Sequence, residues 1–328
     1  MPNSIPNTIL KEALGVCRNG FVVVVVFGLF INLLMLTAPL YMLQMFDRVL
    51  SSRSTDTLVL LTVIAIAALL VYAILEAVRG QVMIRIGAWL DRKLGGPILA
   101  SSVSLSLRGA KQPSVQGLRD LSTYRTFLTG PAMFSLLDSP WTPIFVALIF
   151  LFHTMLGWLS LAGAIVLFCL AVANDLLSRE LLARAGGVSI KALNQPEALV
   201  RNADAIEAMG MMPNLTARWH RDNSEMLALQ ERASTMSGRI TAASKFVRLL
   251  SQIGMLATGA WFVLAGEITP GVMIAGSILM ARALAPVEQA IGSWRTMVSA
   301  RSAYGRIKAQ LAAAPVRGQS MALPEPKG

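Results

Sequence analysis

The chain is divided by long apolar runs that alternate with long segments of mixed polarity, and the apolar runs predict membrane-spanning helices. Three of these runs cover residues 21–46, 57–75 and 249–266, and a fourth covers residues 270–290. Their lengths are close to the roughly 20 helical residues that cross a bilayer. Because lipid offers the backbone no hydrogen-bond partner, segments of this kind are predicted to be α-helical.

A further apolar run, residues 139–174, is too long for one crossing, because its helical length exceeds the thickness of the hydrocarbon. It is therefore expected to form two antiparallel spans, residues 134–152 and 158–174. The stretch "HTMLGW" predicts the turn between them, since Gly157 can adopt turn conformations and Trp158 suits the membrane interface. The sequence thus predicts six spans in an all-α membrane protein.

Two long segments between the spans are predicted to be helices that continue beyond the membrane. Residues 76–129 and 175–248 mix apolar and charged side chains at helical spacing. Each segment is interrupted once, by "LRGAKQPS" at residues 107–114 and by "MGMMPNLT" at residues 209–216, where glycine and proline occur together. The chain is therefore expected to leave the membrane, turn at an elbow and return, twice.

Charge gives the expected orientation. Apolar residues form 55% of the chain and charged residues 14%, against about 25% charged residues in soluble domains. Of the 29 Lys and Arg residues, the short predicted loops carry two, Arg48 and Arg53. The excess of basic residues on the other side predicts that both termini are cytoplasmic. The net charge of +11 is explained by topology and attraction to anionic lipid, so nucleic acid is not an expected partner.

Four stretches carry a resemblance to a known family: "LTAPLYMLQMFDRVLSSRSTDTL", "DSPWTP", "MGMMPNL" and "RALAPVEQAIGSWR". They resemble the membrane domain of type I secretion ABC exporters, in the alkaline-protease exporter branch. The resemblance implies a type 1 ABC exporter fold over residues 21–312, preceded by a cytoplasmic lead, residues 1–20. It also implies a homodimer in the bacterial inner membrane.

The same resemblance implies that the two elbows are coupling helices, which fit into grooves of ATP-binding domains. The first is expected near residues 105–114 and the second near residues 209–219. For the methionines of the second elbow, simple gap-filling contacts are an equal alternative to docking. The residues expected to make the coupling contacts are Leu107, Lys111, Met211, Met212, Leu215, Arg218 and Trp219.

An ATP-binding domain is expected beside this chain, in cis or in trans. The last residues, 313–328, resemble the linker that introduces such a domain. A phosphate-binding loop needs the pattern GxxxxGK[ST], and "LRGAKQPS" has the lysine without the glycine spacing. We therefore expect no cofactor in this chain and no ATPase activity from it alone. ATP and Mg²⁺ are expected in the following domain, which would make the full-length protein an ATP-hydrolysing translocase.

Three charged residues fall inside or beside the spans and are candidates for the translocation path. Asp138 lies about 21 Å along its helix from the short-loop side, and Arg282 lies about 18 Å along the sixth span. Buried charges in lipid are costly, so such residues usually face a partner or a watery cavity. Pairing of Asp138 with Arg282 is predicted, within or across two chains, with Glu288 as another partner for Arg282. The alternative is that Asp138 caps the third span and Arg282 extends to the interface.

The function expected from the resemblance is secretion of a polypeptide across the inner membrane. The expected partners are a periplasmic membrane-fusion adaptor, an outer-membrane channel and the secreted polypeptide. An ABC exporter of lipid, drug or peptide would share the same topology, so the family-specific stretches alone separate these two functions. A non-transporting scaffold or receptor is a third possibility, but it would not need paired long elbows.

Overall fold

The computed structural model describes residues 5–107 and 116–313, and in these ranges the chain forms helices and no strand. Lys111 and the predicted linker beyond Ala313 lie outside the described residues. A π-helical turn, Met45–Val49, follows α2, and a 3-10 turn, Ser139–Trp141, follows α6. In chain order the α-helices are α1 (Ile5–Leu34), α2 (Thr37–Gln44), α3 (Leu50–Ser52), α4 (Thr55–Leu107), α5 (Gln116–Thr129), α6 (Pro131–Asp138), α7 (Thr142–Phe152), α8 (Thr154–Arg201), α9 (Ala203–Ala208), α10 (Met212–Leu264), α11 (Pro270–Gly292) and α12 (Trp294–Ala313).

Six helical segments are long and apolar enough to cross a bilayer, which confirms the predicted all-α membrane fold with six spans. Short turns at Arg53, His153 and Gly266 connect the spans in pairs, and we call the side of the bundle that carries them the loop end. The opposite side, where the helices run on, is the arm end. The six segments are Arg18–Ser52, Thr55–Leu107, Pro131–Phe152, Thr154–Val188, Met212–Leu264 and Pro270–Gly292.

The turn between the third and fourth spans differs from the sequence prediction. The residue in extended conformation is His153, with φ −162° and ψ 134°, and α8 begins directly after it at Thr154. Gly157 lies inside α8, where a Cβ atom would overlap the ring of Phe150. The glycine therefore permits close packing of α7 on α8, and the fourth span starts at residue 154 rather than residue 158.

The first span is jointed. Its helical hydrogen bonding is interrupted at residues 35–36, where the backbone N–H of Leu36 bonds to Leu33 instead of residue 32. Pro39 has no N–H to offer the carbonyl of Met35, which accounts for a break at this place. On one side of the joint α1 packs against α4, and on the other side α2 packs mainly against α11. The two halves of the span therefore contact different neighbours.

Two apolar clusters form the core. Toward the arm end, buried side chains of α1, α4, α5 and α12 pack together; they are Val24, Met83, Ile86, Leu90, Leu94, Ile98, Leu121, Leu128, Ile307 and Leu311. Toward the loop end, buried side chains of α7, α8, α10 and α11 form the second cluster; they are Phe145, Val146, Ile149, Leu156, Leu167, Met255, Leu279, Met280, Ala283 and Leu284.

Beyond the spans the helices form two arms. In one arm α8 and α10 pack along each other and are joined at the tip by α9. In the other, α4, α5 and α12 pack together, and the Arg306 guanidinium of α12 donates to both carboxylate oxygens of Asp120 in α5, at 2.8 and 2.7 Å. α4 has 53 residues and is therefore about 80 Å long, which is more than twice the hydrocarbon thickness.

Candidate functional site

A polar cluster joins three spans toward the arm end, and we call Asn32, Glu76, Arg79 and Asp138 the polar cluster. Arg79 of α4 donates from Nη1 to Asp138 Oδ1 at 2.8 Å and from Nη2 to Asp138 Oδ2 at 3.4 Å. Its Nη2 also donates to Glu76 Oε1 at 3.0 Å. Asn32 of α1 donates to Asp138 Oδ1 at 3.3 Å. The cluster therefore ties α1, α4 and α6 together.

The surroundings of Arg79 keep water away from it. The residue is 2% exposed, and its guanidinium carbon lies 4.8 Å from the centre of the Phe134 ring. Gly28 of α1 faces the ion pair, since a Cβ atom there would sit 3.9 Å from Arg79 Nη1 and from Asp138 Oδ1. A charge buried to this degree is costly unless it is paired, so Arg79 depends on Asp138 and Glu76.

The predicted pairing of Asp138 with Arg282 within one chain is wrong. Asp138 is occupied by Arg79, and Glu288 pairs with Arg248 of α10 at 2.5 Å. Asp138 does not cap the following helix with its side chain either. Within residues 5–107 and 116–313, the side chain of Arg282 makes no hydrogen bond or ion pair and lies on the exposed face of α11.

Sequence reasoning missed Arg79 because it placed the end of the second span at residue 75, at the first charged residue. The helix continues without a break through Glu76 and Arg79, so both lie close to the other spans. The spacing of Glu76 and Arg79, three residues apart on one helix face, was the available signal for an ion pair. Nothing in the sequence indicated that Asp138 of α6 pairs with Arg79, because helix packing decides which side of each helix faces its neighbour.

The second predicted elbow is the tip of the α8–α10 arm. The short helix there is α9, which precedes the predicted range of residues 209–219, and Gly210 forms the turn with φ 62°. Met211 and Met212 are exposed at the turn. Leu215, Arg218 and Trp219 follow in the first two turns of α10, and Leu215 and Trp219, four residues apart, share a face.

At the first elbow the structure describes one of the two predicted coupling residues. Leu107 ends α4 and is 84% exposed, so an apolar side chain stands at the far end of this arm as well. A contiguous exposed apolar patch indicates contact with another protein, whereas a single exposed apolar residue does not. Residues 108–115, which connect α4 to α5, lie outside the described residues.

Comparison with known proteins places this geometry in a family. The model of the ABC transporter transmembrane region matches residues 21–287. The type I secretion system ATP-binding protein PrsD of Rhizobium meliloti (strain 1021) is 38% identical over 325 residues, which cover 99% of this chain and 55% of PrsD. The leukotoxin translocation ATP-binding protein LktB of Mannheimia haemolytica is 24% identical over 288 residues, which cover 85% of this chain and 40% of LktB.

The chain spans about half the length of the curated relatives it matches. The matched residues include the second to fifth spans in full, most of the first and sixth spans, and the arm formed by α8 and α10. The resemblance to type I secretion exporters is confirmed by the names of these relatives. With its six-span helical bundle and its match over residues 21–287, the chain belongs to the ABC transporter transmembrane family.

Proposed function

We propose that this chain is the membrane-spanning half of an ATP-driven exporter that secretes a polypeptide in a type I secretion system. The match to PrsD, a type I secretion protein, over 99% of the chain supports the assignment to type I secretion. The observation that carries the coupling mechanism is the tip of the α8–α10 arm, where Met211 and Met212 are exposed and Leu215 and Trp219 are half-buried.

In the proposed orientation the loop end faces the periplasm and both termini lie in the cytoplasm of a bacterial cell, with the spans in the inner membrane. The distribution of charge supports it, because the turns at the loop end carry Arg48 and Arg53 as their Lys and Arg residues while the arms carry many more. The arms then reach into the cytoplasm, where ATP is available.

Coupling in the proposed mechanism begins at the tip of the α8–α10 arm. Met212, Leu215 and Trp219 fit into an apolar groove of an ATP-binding domain, supplied in cis or in trans, and that domain binds ATP and Mg²⁺. Within residues 5–107 and 116–313 no three His, Cys, Asp or Glu side chains come together to hold a metal ion. This chain contributes a rigid lever, because α10 is continuous from Met212 to Leu264 and reaches the loop end.

Two copies of the chain form the path in the proposed assembly. Arg282 supports this arrangement, because it lies on a face of α11 that the chain's own helices leave uncovered, about 18 Å along the helix from its start. An unpaired charge at that depth is tolerated where it faces water or a partner chain. The polypeptide then passes to a periplasmic adaptor and an outer-membrane channel.

Docking at the arm tip is tested by placing charge on its apolar face. Met212→Asp with Leu215→Asp, made in the full-length protein, is expected to abolish secretion and the stimulation of ATPase activity by cargo, because the carboxylates would be buried unpaired in the groove. The matched control is Asn214→Asp with Thr216→Asp, which adds the same charge on the same turn at exposed positions. Normal secretion by the first variant would refute the docking assignment.

A further inference from the structure

At the loop end, Asp47 in the π-helical turn reaches the first turn of α11. Its Oδ2 accepts a hydrogen bond from Thr269 Oγ1 at 2.6 Å, and its Oδ1 accepts one from the backbone N–H of Gly271 at 2.9 Å. Thr269 Oγ1 in turn accepts from the N–H of Val272 at 3.3 Å. We call Asp47, Thr269 and Gly271 the loop-end clasp. It joins the first span to the sixth.

Local sequence explains why the clasp forms. Thr269 is the N-cap of α11, and Pro270 follows it in the first helical position, where a missing N–H costs nothing. Gly271 allows the close approach, since a Cβ atom there would overlap the Asp47 carboxylate. A carboxylate at a helix N-terminus is stabilised by the free N–H groups and by the helix dipole. The π-helical turn carries Asp47 on the first span.

The clasp differs from the polar cluster in its access to water. Thr269 is exposed, and the bond between Asp47 and Gly271 is only half-buried. Water can therefore take over both hydrogen bonds when the two groups separate. Arg79 in the polar cluster is buried, so separation there would leave an unpaired charge in an apolar site. The hydrogen bonds of the loop-end clasp can therefore be broken at low cost, whereas those of the polar cluster cannot.

The joint between α1 and α2 at residues 35–36 can act as a hinge when the clasp separates. α1 is held to α4 and α6 by the polar cluster, whereas α2 and the π-helical turn lie on α11. We propose that the loop-end clasp is the releasable contact of a gate, in which the loop-end half of the first span swings away from α11 about residues 35–36. Its use in export depends on the proposed function, because an exporter must open toward the side where cargo leaves.

A neighbouring contact supplies a control. His153 Nε2 lies 3.4 Å from Glu267 Oε2, and the His153 ring lies 4.2 Å from the ring of Phe262. This contact ties the turn before α11 to the turn between α7 and α8, which belong to the same apolar cluster as α10 and α11. It does not involve the first span. Loss of the Glu267 carboxylate should therefore leave the gate unchanged.

Distances between spin labels test the gate in the full-length protein in lipid nanodiscs. With Cys17 and Cys169 replaced by alanine, labels are attached at Ser52 and Ala265, which are exposed on the two sides of the clasp. Without nucleotide, Asp47→Ala is expected to lengthen the mean distance by more than about one helical turn, 5 Å, or to broaden its distribution by that amount. Gly271→Ala should do the same, since its methyl group displaces the carboxylate.

The controls are Asp56→Asn, which removes an equal charge from an exposed residue at the loop end, and Glu267→Gln. Both should retain the wild-type distance. Asp47→Asn keeps the shape and one acceptor, so an intermediate distance is expected and serves if Asp47→Ala fails to fold. Unchanged distances in Asp47→Ala and Gly271→Ala, or equal changes in Asp56→Asn, would overturn the gate.

The outcome for the gate is separable from the outcome for the proposed function. A protein that secretes no polypeptide but shows the Asp47-dependent distance change retains the gate and loses the function. A protein that secretes normally and shows no distance change in Asp47→Ala loses the gate alone.

Discussion

Arg79→Met is expected to destabilise the protein more than any other single change in the polar cluster. The substitution keeps a long apolar side chain and removes the guanidinium that bonds to Asp138 and Glu76. Asp138 would then keep only Asn32 as a donor from this cluster, at 3.3 Å. Two carboxylates, whose side chains are 18% exposed in Asp138 and 39% exposed in Glu76, would then lack their counter-charge.

The expected loss in the free energy of unfolding is about 3 kcal/mol, the lower end of the cost of removing one partner from a buried ion pair, because Asp138 and Glu76 are partly exposed. Asp138→Asn should cost less, about 1–3 kcal/mol, because Arg79 retains Glu76 and the amide oxygen remains an acceptor. The double variant Arg79→Met with Asp138→Leu should recover part of the loss, since both buried charges are gone. The contacts of Arg79 predict this order of stabilities. If loss of packing alone decided the stability, the double variant would have the lowest free energy of unfolding.

Reversible unfolding of the purified chain in mixed micelles measures these differences. Arg85→Met is the matched control, because Arg85 lies on the same helix and is exposed. Its free energy of unfolding should stay close to that of the wild type. If Arg79→Met unfolds like Arg85→Met, or if the double variant loses as much free energy of unfolding as Arg79→Met and Asp138→Leu measured singly and added, the polar cluster does not hold the three spans together.

Three further outcomes are expected. Arg306→Met should lower the free energy of unfolding by about 1–3 kcal/mol, because Asp120 is buried and loses two hydrogen bonds; chemical denaturation detects this, and a neutral result would contradict it. Gly157→Ala should lower the free energy of unfolding by about 1–3 kcal/mol, because the added methyl group overlaps Phe150. Gly186 has open space around it, so Gly186→Ala should leave the stability unchanged or raise it. Thermal unfolding measures both changes. The isolated chain should release no phosphate from ATP, and turnover abolished by a point change within the chain would refute this.

The spans were predictable because apolar length is a one-dimensional property of the sequence. Gly157 was misassigned as the turn because glycine serves both turns and close helix contacts, and the sequence does not say which. The turn falls at His153, which takes the extended conformation that separates α7 from α8. The number of spans therefore followed from the lengths of the apolar runs. The boundary between the third and fourth spans depended on how Phe150 packs.

The partners of the charged residues were not predictable in the same way. Asp138 and Arg282 lie at similar distances along their helices from the loop end. Whether they meet also depends on the direction in which each side chain faces, which the sequence does not give. Arg79 was assigned to the segment outside the spans, although α4 continues straight into the arm. Asp47 was counted only as part of a short loop, because nothing near it in sequence indicates that α11, more than 200 residues later, begins beside it.

Comparison of the proteins secreted by cells with and without the gene tests the central claim most directly. Deletion of the full-length gene is predicted to remove at least one polypeptide from the growth medium, as detected by mass spectrometry. Complementation with the wild type should restore it, and complementation with Met212→Asp and Leu215→Asp should not. An unchanged set of secreted polypeptides, with export of a lipid or small molecule lost instead, would contradict the account.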